Sequence, residues 1–166
     1  PDESARQLIT KLEESGAAVH CVQADVASAQ AVAELLATVR ASMPPLGGIV
    51  HAAGVLHDQT LLVQSAESWQ ATFAPKALGA WNLHTLAPAE NLDFFVLYSS
   101  AAALLGAPGQ ANYAAANAFV DALAEYRRRR GLPALSIQWG PFAEVGLAAA
   151  AANRGQRLVE RGLPSL

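Results

Sequence analysis

The chain has 166 residues, 52% of them hydrophobic, and a formal net charge of −3. This is one domain or part of one, with apolar content for a real core and no basic excess to attract nucleic acid. A single cysteine, Cys21, excludes an internal disulfide. His20, His51, His57 and His84 have no metal-ligand spacing, so no metal site is expected. No run approaches the ~20 apolar residues of a membrane span. The opening PDESARQ is polar, unlike a signal peptide, so a reducing cytoplasm is the expected location.

The pattern then alternates helix and strand. Residues 3–15 carry Leu8, Ile9 and Leu12 at helical spacing, with Gly16 as the stop. AVHCVQAD, 18–25, predicts a strand. An Ala/Val/Leu helix follows from Ser28, a suitable N-cap, to Ser42, and Pro44-Pro45 ends it. GGIVHAA, 47–53, predicts a short buried strand. Residues 65–86 predict a long helix that Pro75 kinks or breaks. LDFFVLYSS, 92–100, predicts a strand, Gln110 to Arg130 a second long helix, and ALSIQWG, 134–140, the last strand. Strands separated by helices of this length imply right-handed crossovers and a parallel sheet. Ligands of such sheets sit beyond the strand C-termini, where Asp25, Ala53-Gly54, Ser100 and Gly140 all fall.

Three polar residues stand out in SSAAALLGAPGQANYAAANAF, 99–119. Tyr113 lies thirteen residues after Ser100, and Asn117 four residues, about one turn, after Tyr113. A hydroxyl ending a strand, a phenol entering a helix and a polar group one turn on can converge to donate a proton to a carbonyl oxygen. By spacing alone, Tyr and Asn four apart on an Ala-rich helix are more often a surface neighbour pair. Gly106, Pro108 and Gly109 permit a sharp bend between Ser100 and Tyr113. Arg127 to Arg130 close the second long helix before Gly131. They read as a solvated face that complements the helix dipole, or as a contact for an acidic carrier domain. Trp69, Phe73 and Trp81 read as core or subunit packing.

The 99–119 run resembles the active-site segment of ketoreductase domains of modular polyketide synthases, in the short-chain dehydrogenase/reductase superfamily. That superfamily commonly has lysine four residues after the tyrosine. Polyketide ketoreductases have asparagine there and a lysine upstream, matched by Asn117 and by Lys76 in FAPKALGAWNLH. HAAGV, 51–55, matches the turn beside the cofactor. The resemblance runs from about residue 6 to the C-terminus.

The resemblance implies a Rossmann-like, doubly wound α/β sheet. No G-x-G-x-x-G is present, and the first segment reads as the helix after the second strand. The chain is therefore expected to lack the first two strands and glycine loop of the domain, and to fold poorly alone. Residues 1–166 would be a partial catalytic subdomain, with 143–166 as lid region and interrupted end, and 143–160 over the substrate.

By resemblance, Tyr113 is the proton donor and Ser100 the second hydrogen bond to the carbonyl oxygen; Ser99 is structural. Lys76 supplies positive charge and contacts the cofactor ribose, and Asn117 holds the lysine and a water in a proton relay. A free tyrosine has a pKa of about 10, and a nearby ammonium favours its phenolate. For NADPH, Asp25-Val26 would meet the adenine, Ala52, Ala53 and Gly54 would allow close backbone approach, Tyr113 would join Lys76 in binding the cofactor, and Gly140, Pro141 and Phe142 would meet the nicotinamide. Asp25 could instead cap the next helix, and Lys76 could simply face solvent. Leu56-His57-Asp58 keeps the last aspartate of the Leu-Asp-Asp motif of D-hydroxyl-forming enzymes. Leu105 stands where the opposite class has tryptophan.

The activity implied is NADPH-dependent reduction of a β-ketoacyl thioester carried by the phosphopantetheine of an acyl carrier protein, beside neighbouring synthase domains. The alternatives are a non-reducing scaffold or epimerase domain of this fold, or the ketoreductase of an animal-type fatty acid synthase. A free-standing short-chain reductase is disfavoured by Asn117.

Overall fold

The computed structural model describes residues 3–87 and 92–140. Its elements are α1 (Glu3–Glu14), α2 (Ala29–Ser42), β1 (Gly48–His51), α3 (Ala66–Phe73), α4 (Gly79–Leu86), β2 (Phe94–Ser100), α5 (Ala102–Leu105), α6 (Ala111–Arg129) and β3 (Leu135–Trp139). A 3₁₀ turn at Leu61–Val63 precedes α3, and a π-helical turn at Ala74–Leu78 joins α3 to α4.

The three strands form a parallel sheet in the order β1-β2-β3, as alternation with helices requires. Register pairs Ile49 with Phe95 and His51 with Leu97. One face of the sheet carries Ile49, Phe95 and Leu97 into a core with Val32 and Leu36 of α2, Leu83 of α4 and Val120 and Leu123 of α6. The other face is more open, with Val50 and Phe94 about half exposed. The period of two along β2 thus separates a packed face from one that carries Tyr98 and Ser100.

The strand expected at 18–25 is absent: these residues form no ladder among the described residues. Alternating side chains favour extended backbone, but a strand needs a neighbour for its N–H and C=O groups. Ser28 does cap α2, its Oγ accepting from Ala31 N–H at 3.2 Å. The helix pattern at 65–86 is realised as α3, the π turn and α4 in succession. Pro75 lacks the N–H that an α-turn uses, and Gly79 N–H closes the wider turn on the Ala74 carbonyl. Helix α4 then lies close to its neighbours: a Cβ on Gly79 would come within 2.8 Å of Val26 Cγ2.

Trp81 is 41% exposed, in a surface aromatic group with His84 and Tyr126, which excludes core packing and leaves the subunit-packing reading. One expectation needs correction. Arg127 is fully buried rather than part of a solvated face. It continues the stripe Val120, Leu123, Ala124 at helical spacing. Its guanidinium stacks 3.9 Å from the Phe95 ring centroid, Nε donates to the Pro133 carbonyl at 3.1 Å, and Nη1 donates to His84 Nδ1 at 2.8 Å. Arg128 and Arg129 do face solvent, and both pair with Glu125.

Because arginine can only donate, the His84 ring is neutral with its proton on Nε2. Burial first, and the charges of Arg127 and Arg130 second, hold the His84 pKa below its ordinary 6.5. Unfolded chain then binds more protons than folded chain as pH falls below that value, so stability falls with it. Thermal denaturation of the intact protein should show a melting temperature that drops between about pH 7 and pH 5.5. His84→Asn, which keeps an acceptor near Nδ1, should remove part of that drop.

Candidate active site

The site lies where the strands end. Ser100 is the last residue of β2, and its Oγ accepts from Ala102 N–H at 3.2 Å. This turns the oxygen toward the start of α5 and leaves its one proton free to donate. After α5 the chain reverses through Gly109, whose φ of 74° lies in the left-handed region. Helix α6 then begins, with Tyr113 half-buried in its first turn and Asn117 fully buried in its second.

Lys76 approaches from the π turn. A π turn adds a residue to the helix circuit and is a recurrent way of redirecting a functional side chain. Lys76 is 4% exposed, and its Nζ donates to the Tyr98 carbonyl at 2.8 Å. The ammonium also lies 5.9 Å from the centroid of the Tyr113 ring. Burial pulls the Lys76 pKa down to about 8, against an opposing pull from the Asp121 carboxylate. Asn117 Nδ2 donates to the Tyr113 carbonyl at 2.7 Å, while its buried Oδ1 receives no hydrogen bond among the described residues. Lysine and phenol are therefore brought together, and the solvent-facing reading of Lys76 is excluded; the expected hold of Asn117 on the lysine is not made among the described residues, where Nζ bonds the Tyr98 carbonyl and Asn117 Oδ1 stays unpartnered.

The surrounding polar groups hold these elements in place. His51, 3% exposed at the end of β1, hydrogen-bonds through Nε2 to the Lys76 carbonyl at 2.9 Å. A carbonyl only accepts, so Nε2 carries the proton. Burial, the dominant influence, lowers the pKa of His51 and keeps the ring neutral. Ser99 Oγ donates to the Asn117 carbonyl at 3.3 Å, the structural part expected of it.

Asp25 Oδ1 accepts from Ala27 N–H at 2.9 Å, an Asx turn leading to the Ser28 cap. Asn82 Nδ2 donates to the carbonyls of Val26 and Ala27 at 3.0 Å each, which ties this turn to α4. Ala52, Ala53 and Gly54 follow β1 directly, and Gly140 follows β3. Pro141, Phe142 and the lid expectation at 143–166 lie outside the described residues.

The second loop at the site contains Leu56, His57 and Asp58. Leu56 is half-buried, and Gln110 Nε2 donates to both Asp58 carboxylate oxygens at 3.2 Å. Leu105 is 64% exposed at the end of α5. His51, Asn82, Gln110 and Asn112 are polar site residues that the sequence reading did not single out. Asn112 adjoins Tyr113, but nothing in its local pattern separates it from a surface asparagine. Among the described residues no group of histidine, cysteine, aspartate or glutamate could hold a metal, and no helix is long and apolar enough to cross a membrane.

Comparison with known proteins agrees with this fold. The family model for the KR domain matches residues 1–144. The chain is 47% identical over 167 residues to the spectinabilin polyketide synthase system protein NorB of Streptomyces orinoci, covering 99% of this chain and 8% of that protein. It is 41% identical over 163 residues to a 6-methylsalicylic acid synthase of Aspergillus terreus, covering 98% of this chain and 9% of that protein.

Among solved structures, the ketoreductase from the first module of phoslactomycin biosynthesis in Streptomyces sp. HK803 superposes with a TM-score of 0.92 at 39% identity, covering 99% of this chain and 37% of that chain. A ketoreductase domain from the bacillaene assembly line gives 0.90 at 32%, covering 99% of this chain and 41% of that chain. The chain thus spans less than half of each of these four proteins. Its parallel sheet and helices are those of a Rossmann-like domain, and the chain belongs to the KR-domain family, the ketoreductases of modular polyketide synthases within the short-chain dehydrogenase/reductase superfamily.

Proposed function

We propose that this chain carries the catalytic centre for NADPH-dependent reduction of a β-ketoacyl thioester to the β-hydroxyacyl thioester. The substrate is borne on the phosphopantetheine of an acyl carrier protein, within a multidomain synthase whose neighbouring domains supply and take up the chain. The observation that carries this reading is the buried Lys76 ammonium beside the Tyr113 ring, with Asn117 one turn further along the same helix.

The donor set suits a nicotinamide cofactor. An ammonium has three N–H groups, and the Tyr98 carbonyl accounts for one of those of Lys76, leaving donors for ribose hydroxyls. Asp25 and Val26 would border the adenine. The small side chains of Ala52, Ala53 and Gly54 let a ligand approach the backbone at the end of β1, and Gly140, with Pro141 and Phe142 beyond it, would border the nicotinamide. When bound, NADPH supplies the hydride for the carbonyl carbon.

The chain's own residues handle the oxygen. The Tyr113 hydroxyl gives its proton to the carbonyl oxygen as negative charge builds there, and the Ser100 hydroxyl donates a second hydrogen bond to it. The Lys76 ammonium stabilises the negative charge left on Tyr113. Asn117 Oδ1, buried and open to a donor, orients a water through which the proton is replaced. Asp58, held by Gln110, and the absence of tryptophan at Leu105 favour the D-configured product.

In the intact ketoreductase, Tyr113→Phe should lower kcat for NADPH oxidation with a β-ketoacyl thioester by about 10²- to 10⁴-fold, with NADPH still bound. Chiral analysis of the wild-type product tests its handedness. A folded, NADPH-binding protein that turns over no ketoacyl thioester would instead favour the scaffold or epimerase reading.

The buried lysine sets a pH limit. Lys76 is protonated below about 8 and loses its charge above that value, so reduction should hold at lower pH and decline as pH rises through about 8. Lys76→Arg, which keeps its charge, should lose this decline even at a reduced rate, as a kcat–pH profile would reveal.

A further inference from the structure

Asn112 is fully buried immediately before Tyr113, and its side chain joins three parts of the molecule. Nδ2 donates to the His57 carbonyl at 3.1 Å and to Thr72 Oγ1 at 3.1 Å, with a longer contact to the Ser68 carbonyl at 3.4 Å. Oδ1 accepts from Tyr113 N–H at 2.8 Å, satisfying a donor in the first turn of α6 that has no partner within the helix. Thr72 is itself 1% exposed. Both ends of one amide are thus used: one fixes the backbone of Tyr113, and the other grips the His57–Asp58 loop and α3.

The same seam carries two further ties. Gln59 N–H donates to the Gly109 carbonyl at 2.8 Å, and Gln110 Nε2 holds the Asp58 carboxylate. Residues 57–59 and 109–112 are therefore joined by main-chain and side-chain hydrogen bonds at three points. A buried amide is costly to leave unpaired, so this arrangement has little freedom to slide.

We infer that Asn112 is a positioning residue: it locks Tyr113 and the His57–Asp58 loop into one unit, so that proton delivery and the choice of carbonyl face are set together. This rests on Tyr113 being the proton donor. A displacement of about 1 Å at a reacting group can cost about 10²-fold in rate. Cofactor affinity, which depends on Lys76, on Asp25 and on the strand ends at residues 52–54 and Gly140, should be spared.

The test uses the intact ketoreductase with NADPH and a β-ketoacyl thioester, reading kcat, KM for NADPH and the ratio of product epimers at the hydroxyl carbon. Asn112→Ala and the nearly isosteric Thr72→Val should each lower kcat, Asn112→Ala by about 10²-fold. KM for NADPH should stay within about two-fold, and the minor epimer should become measurable. Thr72→Ser, which restores the hydroxyl, should restore both rate and ratio. An unchanged ratio in a folded Thr72→Val protein overturns the inference, whether or not Asn112→Ala folds. Tyr113→Phe, run alongside, separates the two claims. Full turnover by Tyr113→Phe removes the proton-donor reading and this inference with it. An inactive Tyr113→Phe beside a Thr72→Val of wild-type ratio removes this inference alone.

Discussion

A lysine ammonium leaves water only if hydrogen bonds and opposite charge replace its hydration. Lys76 meets that condition incompletely, with one main-chain carbonyl at 2.8 Å and a tyrosine ring nearby. Its lowered pKa expresses the shortfall. Much of the surrounding architecture serves to keep it there. The π turn carries Lys76 inward, His51 holds its carbonyl, and Gly79 lets α4 close on Val26. The partly unsatisfied cation is also the useful one, because its remaining donors and charge are available to a ligand and to the phenol beside it.

Polar residues around this centre work mainly on main-chain groups. Ser99 reaches the Asn117 carbonyl, Asn82 the carbonyls of Val26 and Ala27, and Asn112 the His57 carbonyl and Tyr113 N–H. Strand ends and first helical turns expose unpaired backbone groups, and buried amides and hydroxyls satisfy them at fixed geometry. Stability and alignment of the site therefore have the same source. Arg127 plays the equivalent part away from the site, tying α6 to α4, to the Phe95 ring and to the approach to β3.

Much of this was legible in advance. The patterns of apolar residues located α2, α6, β2 and β3 to within about two residues, the first three because they pack one face against a shared core. The strand expected at 18–25 failed for a definite reason: alternation describes side chains, whereas a ladder depends on a partner. Pro75 was read as a kink or break, and the outcome is a π turn that keeps the helix continuous while absorbing the missing N–H. Arg127 was misread because four consecutive arginines look alike in composition, although only the first continues the buried stripe of α6.

What local order alone determines is the identity of α2, α6 and the three strands, the parallel sense of the sheet and the presence of Ser100, Tyr113 and Asn117 at a strand end and on the next long helix. Those features depend on residues a few positions apart. The placement of Lys76 against Tyr98, 22 residues away, and of Asn112 against His57, 55 residues away, belongs to the tertiary structure. No periodicity encodes such contacts. They exist because the sheet, the π turn and the start of α6 are packed together, and only that packing removes enough water for a buried amide or ammonium to need one particular partner.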